Sequence, residues 1–237
     1  MTVKGSLFLL PCPLGNNAPL ESLSPDVSKI IAQNNHFIVE NEKIARRFIK
    51  RICPDKIQSE LELFPLNKFT SPIEYSRYLD PCEQGVSMGL LSDVGCPGVA
   101  DPGAVIVALA HRKNIEVVPL VGPSSLLLAL MASGMNGQQF AFHGYLPIAN
   151  RERKQTIKKL ERNAIKEGQT QLFIETPYRN IPLLEALIQE LQNNTFLTVA
   201  CDLTLPTQWV KTQTIAQWKR QNLEDFHKRP AVFLVHA

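Results

Sequence analysis

A chain of 237 residues is long enough to bury a sizeable core, as one large domain or two smaller ones, and 44% hydrophobic with 20% charged residues is an ordinary soluble composition. The formal net charge of +3 permits a polyanionic partner without requiring one, because a dedicated basic footprint is more extreme. Five cysteines without a C-x-x-C pair and five histidines without H-E-x-x-H exclude the common zinc motifs, so reduced thiols and a cytoplasmic setting are expected. The apolar run near the amino terminus is only about six residues long, too short for a signal-peptide core or a bilayer span, so no membrane association is expected.

Ser6-Leu7-Phe8-Leu9-Leu10 reads as a buried strand, ended by Pro11-Cys12-Pro13-Leu14-Gly15-Asn16-Asn17, because prolines cannot donate to a ladder and Gly-Asn supplies turn conformations. Ser24 and Pro25 open a helix as N-cap and first helical residue, with Val27, Ile30 and Ile31 on one face. A strand follows over 36–40. Residues 44–52 form a basic amphipathic helix in which Arg46, Arg47, Lys50 and Arg51 surround Ile44, Phe48 and Ile52, and the basic side chains either face solvent or contact phosphate. Residues 61–64 alternate like a short strand, 67–83 are part loop and part short helix, and 86–91 form the next strand. That strand opens into Ser92-Asp93-Val94-Gly95-Cys96-Pro97-Gly98-Val99-Ala100-Asp101-Pro102-Gly103, and an apolar helix over 104–111 starts straight after it, with Asp101 placed to cap its free N–H groups. A strand over 115–120, parallel to the previous one, completes a βαβ unit of roughly 35 residues. The first half is therefore α/β, with loops gathered at the carboxyl edge of a largely parallel sheet, where ligands usually bind.

Gly122-Pro123-Ser124-Ser125 leads into an apolar helix over 126–132, closed by Gly134. Residues 140–145 read as a strand. The helix after Asn150 starts with Arg151, Glu152, Arg153 and Lys154, carries Lys158, Lys159, Arg162 and Lys166, and turns Ile157, Leu160 and Ile165 inward. Strand 171–175, helix 181–191, strand 196–201, a strand near 208–211, a short helix around Trp218 and strand 231–236 make the second half a mixed α/β unit. The expected domains are 1–121 and 122–237.

Asp93 and Asp101 flank a Gly/Pro loop that admits several chemistries. Two carboxylates without a histidine or a third acid at ligand spacing argue against a metal, and the chain has neither G-x-x-x-x-G-K nor G-x-G for a phosphate cradle. A nucleoside-type cofactor would set ribose hydroxyls and an amino group against carboxylate and backbone acceptors, with Gly95 and Gly98 allowing close backbone approach. Without a ligand, Asp93 merely ends a strand and Asp101 merely caps a helix.

The loop over 92–103, followed by Val118-Pro119-Leu120-Val121-Gly122-Pro123-Ser124-Ser125 and then Gly144-Tyr145-Leu146-Pro147, resembles the S-adenosylmethionine-dependent methyltransferases of the tetrapyrrole methylase superfamily. Within it, the nearest likeness is the branch that methylates a ribose 2′-hydroxyl of a cytidine in small-subunit ribosomal RNA. Pro13-Leu14-Gly15-Asn16 stands at that family's first proline-rich loop, Glu175-Thr176-Pro177-Tyr178-Arg179 at its Glu-Ser-Pro-His-Arg-like turn, and Asp202-Leu203-Thr204 at its Glu-Leu-Thr. The resemblance implies two α/β domains with a cofactor cleft between them, commonly a homodimer, binding S-adenosylmethionine and releasing S-adenosylhomocysteine without a metal. It places Pro13, Asp93, Val94, Gly95, Val99, Ala100, Ser124, Ser125, Cys201 and Pro230 at the cofactor.

Methyl transfer from a sulfonium is an in-line displacement, so a site must mainly align nucleophile, methyl and sulfur and exclude water. A ribose hydroxyl acting as nucleophile also needs a proton acceptor, and Glu40 is the candidate carboxylate. Lys43, Arg46, Arg47, Arg151, Arg153 and Lys154 are the candidate contacts to RNA phosphates, and Tyr75, Tyr78, Tyr145 and Tyr178 fall in or near loops where bases could stack. The chain departs from the RNA-modifying branch on this substrate side. Glu40-Asn41-Glu42-Lys43 replaces Glu-Asp-Thr-Arg, keeping the charge of the last position but losing the bidentate fork, and Phe64-Pro65-Leu66-Asn67 replaces a His-Glu-His-Asn-like stretch. A tetrapyrrole or other small-molecule acceptor, and a paralogue that has lost catalysis, are the alternatives.

Overall fold

The computed structural model describes residues 3–237; Met1 and Thr2 lie outside the described residues. The chain divides into two compact units, the first ending at Ser124 and the second spanning Ser125–Ala237.

The first unit runs β1 (Leu7–Leu10), α1 (Pro25–Gln33), β2 (His36–Val39), α2 (Glu42–Ile52), β3 (Glu62–Pro65), α3 (Pro72–Tyr75), α4 (Asp80–Glu83), β4 (Met88–Leu91), α5 (Ala104–Arg112) and β5 (Val117–Pro119). Its five strands lie in the order β3-β2-β4-β1-β5 and all pair in parallel. β5 is parallel to β4, as expected, but is not its neighbour: its register runs Leu7 to Val117 along β1, so β1 separates the two. Alternate residues feed two cores, as a strand period of two requires. Leu7, Ile38, Met88 and Leu90 meet Ile106 and Leu109 of α5 on one face. Leu10, Phe37, Val39 and Leu91 meet Val27 and Ile31 of α1 and Ile49 of α2 on the other. With both faces covered, β4 is buried at every position, which is why it reads as an unbroken apolar run. Helix starts follow local caps: Ser24 Oγ accepts the Asp26 N–H at 3.3 Å, and Asn41 Oδ1 accepts the N–H groups of Lys43 and Ile44 at 3.0 and 3.2 Å. The Asn41 cap starts α2 at Glu42, two residues earlier than the hydrophobic period indicates.

The second unit runs α6 (Ser125–Ser133), β6 (Phe140–Tyr145), α7 (Asn150–Glu167), β7 (Thr170–Glu175), α8 (Asn180–Glu190), β8 (Phe196–Cys201), β9 (Trp209–Thr214), α9 (Ile215–Trp218) and β10 (Ala231–His236). Its sheet has the order β6-β7-β10-β8-β9, parallel between β6 and β7 and antiparallel elsewhere. Leu160, Phe173, Leu183, Leu187, Val199, Trp218 and Phe233 pack its core. Ile165 does not turn inward as its apolar character suggests; it is 54% exposed, and Glu161 is buried at 5%. The inward face of α7 is Ile157, Leu160, Glu161 and Ala164, and the Glu161 carboxylate is satisfied there by the Gln192 N–H at 2.8 Å and the Thr195 hydroxyl at 2.5 Å. No described helix is long and apolar enough to cross a membrane.

Candidate functional site

Because all strands of the first unit are parallel, their carboxyl ends share one edge, which collects the loops over 11–17, 40–41, 92–103 and 120–124. Cys12 and Gly95 exchange both backbone hydrogen bonds, at 2.8 and 3.1 Å, forming an antiparallel rung between the first proline-rich loop and the central loop. The Cys96 thiol lies 3.4 Å from the Pro123 carbonyl and donates to it, tying in the third loop. Gly122 is obligatory here, since a Cβ at that position would lie 2.3 Å from Cβ and Cγ of the Pro11 ring. Three separate sequence blocks are thus joined within one unit.

The central loop turns through left-handed backbone at Gly95, Gly98 and Ala100, with φ of 75°, 81° and 61°. Asp101 Oδ1 accepts the N–H groups of Gly98 at 2.7 Å and Gly103 at 2.8 Å. The expected helix cap is therefore realised differently: Asp101 reaches only the N-cap residue of α5 and spends its other bond folding the loop back on itself. Pro13 and Gly95 are buried, while Val94 and Val99 are 53% and 46% exposed, so the loop turns two apolar side chains outward beside its backbone.

Glu40 and Asp93 follow neighbouring strands whose last paired residues are Val39 and Leu91. Burial raises the Glu40 carboxyl above its ordinary range, the charges of Asp93 and Asp101 raise it further, and the Asp93 N–H acts the other way. Asp93 is raised by burial first, opposed by the Asn41 N–H, and raised again by Asp101. Burial and the same two aspartates push the Cys12 thiol far up, so it stays protonated. Among the described residues no Lys, Arg or His forms an ion pair with Glu40, Asp93 or Asp101. Glu40 and Asp101 also line a cavity of about 10 Å³, the size of one water, together with Leu66, Leu90 and Gly103. The edge therefore carries a half-buried, uncompensated negative charge, which favours a cationic ligand rich in hydroxyl donors. No group of three or more His, Cys, Asp or Glu among the described residues has the arrangement to hold a metal ion.

In the second unit β6, β7 and β8 point the same way and β10 opposes them. The register aligns Tyr145 with Ile174, and Glu175, Ala231, Cys201 and Trp209 across the sheet. The Gly144-Tyr145-Leu146-Pro147, Glu175-to-Arg179 and Asp202-Leu203-Thr204 blocks and Pro230 consequently meet on one edge. Glu175 Oε1 accepts the Thr176 N–H at 2.6 Å and two Arg179 N–H groups at 3.0 and 2.6 Å, which fixes that turn. Asp202 donates its N–H to the Pro230 carbonyl at 3.0 Å and accepts from Arg229 Nε at 2.8 Å and from the Thr207 hydroxyl at 2.9 Å. Sequence reasoning missed Arg229, because a partner 27 residues away leaves no periodic signal. Thr204 holds a left-handed φ of 72° and a buried hydroxyl with no partner. The Cys201 side chain is wholly inside the core with its thiol pushed up to about 11 by burial, so it offers a ligand only its backbone.

The basic candidates separate into tethers and exposed charges. Arg46 donates to the Gln58 carbonyl at 2.6 Å, Lys50 to that of Pro54, and Arg51 to those of Asn16 and Ala18 at 2.8 and 2.6 Å, steadying the first proline-rich loop. Lys43 and Arg47 are exposed. On α7, Arg153 donates to Asn150 at 2.7 Å and Lys154 pairs with Glu190 at 2.9 Å, while Arg151 is exposed. Of the tyrosines, Tyr78 is buried and donates to the Pro65 carbonyl at 2.7 Å; Tyr145 and Tyr178 are 56% and 71% exposed at the second unit's edge.

Comparison with known proteins agrees with this architecture. The chain is 27% identical over 239 residues to "Ribosomal RNA small subunit methyltransferase I" of Buchnera aphidicola subsp. Schizaphis graminum, covering 98% of this chain and 78% of the relative. The protein of the same name from Xylella fastidiosa is 28% identical over 235 residues, covering 99% and 82%. Among solved structures, the methyltransferase CobJ superposes with a TM-score of 0.65 at 18% identity, covering 98% of this chain and 94% of that one. The uroporphyrin-III-C-methyltransferase of Thermus thermophilus gives 0.55 at 18%, covering 98% and 92%. These two likenesses concern the fold. Residues 18–219 match the family model described as "Tetrapyrrole (Corrin/Porphyrin) Methylases", and with most of its length inside that match the chain belongs to the tetrapyrrole methylase family.

Proposed function

We propose that this methyltransferase transfers the methyl group of S-adenosylmethionine to a ribose 2′-hydroxyl of small-subunit ribosomal RNA, in the cytoplasm. The observation that carries the cofactor assignment is the half-buried group Glu40, Asp93 and Asp101, which no described cation neutralises, beside an open backbone loop. These residues fit the cofactor: an ammonium, a sulfonium and two ribose hydroxyls complement carboxylates and carbonyls, while exposed Val94 and Val99 suit its apolar surface. The acceptor assignment rests on the relatives' shared name.

When bound, the cofactor supplies an electrophilic methyl on a positively charged sulfur. In this reading Asp93 and the backbone at Gly95, Val99 and Ala100 hold its charged and ribose portions. Pro13, Ser124, Ser125, Cys201 and Pro230 are carried as cofactor contacts by family resemblance. Glu40 accepts the proton of the attacking hydroxyl, a task for which a carboxyl raised toward working pH is better suited than an ordinary one. Lys43 and Arg47 contact the phosphates around it. The family's usual homodimer is also part of the proposal.

A tetrapyrrole acceptor is less favoured, because the relatives that align over nearly the whole chain are named for ribosomal RNA, while the tetrapyrrole enzymes are similar in fold alone. The test is transfer of labelled methyl to small ribosomal subunits isolated from a strain lacking the protein, followed by alkaline digestion. Label retained in an alkali-resistant dinucleotide supports ribose methylation; label in a porphyrinogen but not in RNA transfers the function to small molecules. No single-turnover transfer to either, with cofactor binding intact, identifies a catalytically silent paralogue.

A further inference from the structure

The length and wiring of α7 carry one inference beyond the reaction itself. Its basic residues are not equivalent. Glu190 of α8 takes Lys154 at 2.9 Å and Lys158 at 3.5 Å, so these two charges are answered within the fold, and Arg153 donates to Asn150 at the start of α7 itself. Arg151, Lys159 and Arg162 are exposed and enter no described hydrogen bond or ion pair, and Lys166 pairs only with its exposed sequence neighbour Glu167. At 100° per residue these four residues fall within an arc of about 80° on the side opposite Ile157, Leu160 and Ala164, and they extend over about 22 Å of helix. Gln155 is the other side chain inside that arc, and no acid lies within it.

A helix optimised for stability alone would alternate signs along such a face. Lys159 with Arg162, and Arg162 with Lys166, are instead like-charge neighbours three and four residues apart, each pair mildly unfavourable. A ligand with closely repeated negative charge relieves that repulsion, and a nucleic-acid backbone presents such charges along its whole length. The stripe is also placed for the purpose. β6 ends at Tyr145 and α7 begins at Asn150, so Arg151 stands near the edge that gathers the second unit's loops, and the other charges lead away from it.

We propose that Arg151, Lys159, Arg162 and Lys166 form a docking stripe for the phosphate backbone of an RNA helix adjoining the methylated nucleotide. This rests on the proposal that the acceptor is RNA. The stripe reads shape and charge and carries no base specificity. It holds the RNA but touches no reacting atom, so its loss is expected in KM rather than kcat.

The test uses the full-length enzyme with Arg151→Gln, Lys159→Gln and Arg162→Gln combined, glutamine being a good helix former. The control combines Lys29→Gln, Lys219→Gln and Arg220→Gln, with the same change in net charge. Unmethylated small ribosomal subunits are the probe, and affinity is followed from low to moderate salt. The stripe variant is expected to raise KM at least about tenfold, leave kcat within about twofold and cofactor affinity unchanged. Its plot of log affinity against log salt should be shallower by about 2, while the control stays near wild type. Wild-type affinity and salt slope in the stripe variant overturn the inference, as does an equal loss in the control. Stripe-dependent binding to vesicles of anionic phospholipid, with binding to subunits unaffected, also overturns it and assigns the stripe to a membrane surface. Failure of the wild-type enzyme to methylate subunits is scored separately and refutes the RNA acceptor itself.

Discussion

Asp101→Ala should loosen the loop over 92–103 by about 3 kcal/mol without disturbing the sheet behind it. Asp101 Oδ1 accepts two backbone N–H groups at 2.7 and 2.8 Å, and hydrogen bonds to a charged group contribute about 1.5–3 kcal/mol each. Asp101 is partly exposed, which places each bond near the lower end of that range. The two bonds also hold the left-handed Ala100 between them, a conformation disfavoured outside glycine. Asp101→Asn keeps an acceptor oxygen but loses its charge, so about half the effect should remain, since charge-assisted bonds are roughly twice as strong as neutral ones. Hydrogen exchange at the Gly98 and Gly103 amides reports this local opening directly. About a hundredfold faster exchange is expected for alanine and about tenfold for asparagine, with cofactor affinity falling in the same order. The asparagine variant has a second signature: removing the Asp101 charge should lower the Glu40 and Asp93 carboxyls and move the pH midpoint of cofactor binding toward acid. Exchange at both amides within about threefold of wild type in the alanine variant would refute the assignment of Asp101 as the loop's internal anchor.

Asp93→Asn is expected to weaken S-adenosylmethionine binding by about 1–3 kcal/mol, the loss of a charged hydrogen bond, and unchanged affinity by calorimetry would remove Asp93 from the cofactor site. Glu40 and Asp93 are both raised in the folded protein, so what their protonation contributes to stability is fully present below the ordinary carboxylate values and is lost as pH rises through the raised ones. A cationic ligand needs the ionised forms, so its affinity should rise over the same window with net proton release, measurable by calorimetry in buffers of different ionisation enthalpy; proton uptake would contradict the reading. Gly122→Ala should cost about 1–3 kcal/mol of denaturant stability through collision with the Pro11 ring, and a neutral result would mean that the two loops yield to each other. Ile157→Ala should cost about 2–5 kcal/mol and Ile165→Lys less than about 0.5 kcal/mol by urea unfolding, and equal costs would contradict the orientation of α7.

The parts of the fold that local chemistry controls were legible before any coordinates. Ser24 with Pro25 marked the start of α1, and Pro11 marked the end of β1. Glu161 and Ile165 show where that legibility stops. Hydrophobicity alone prefers the isoleucine inward, but the helix phase is shared with Ile157, Leu160 and Ala164, and the N–H of Gln192 and hydroxyl of Thr195 make an acid acceptable at the fourth position. The basic helix α2 poses the same difficulty. Nothing in the pattern of Arg46, Lys50 and Arg51 reveals that each is engaged by a backbone carbonyl, whereas Arg47 remains exposed.

By itself the sequence determined the α/β class, the placement of the central loop after a buried strand, and the six motif blocks that resemble the methylase family, because strand ends, turns and caps depend on neighbours a few residues apart. Only the tertiary structure decided that β1 lies between β4 and β5, that the Cys12–Gly95 rung and the Gly122–Pro11 contact join three loops, and that Asp202 is held by Arg229. These contacts join residues far apart in the chain. Their partners are chosen by the order of strands in a sheet and the packing of its faces, which no local periodicity encodes.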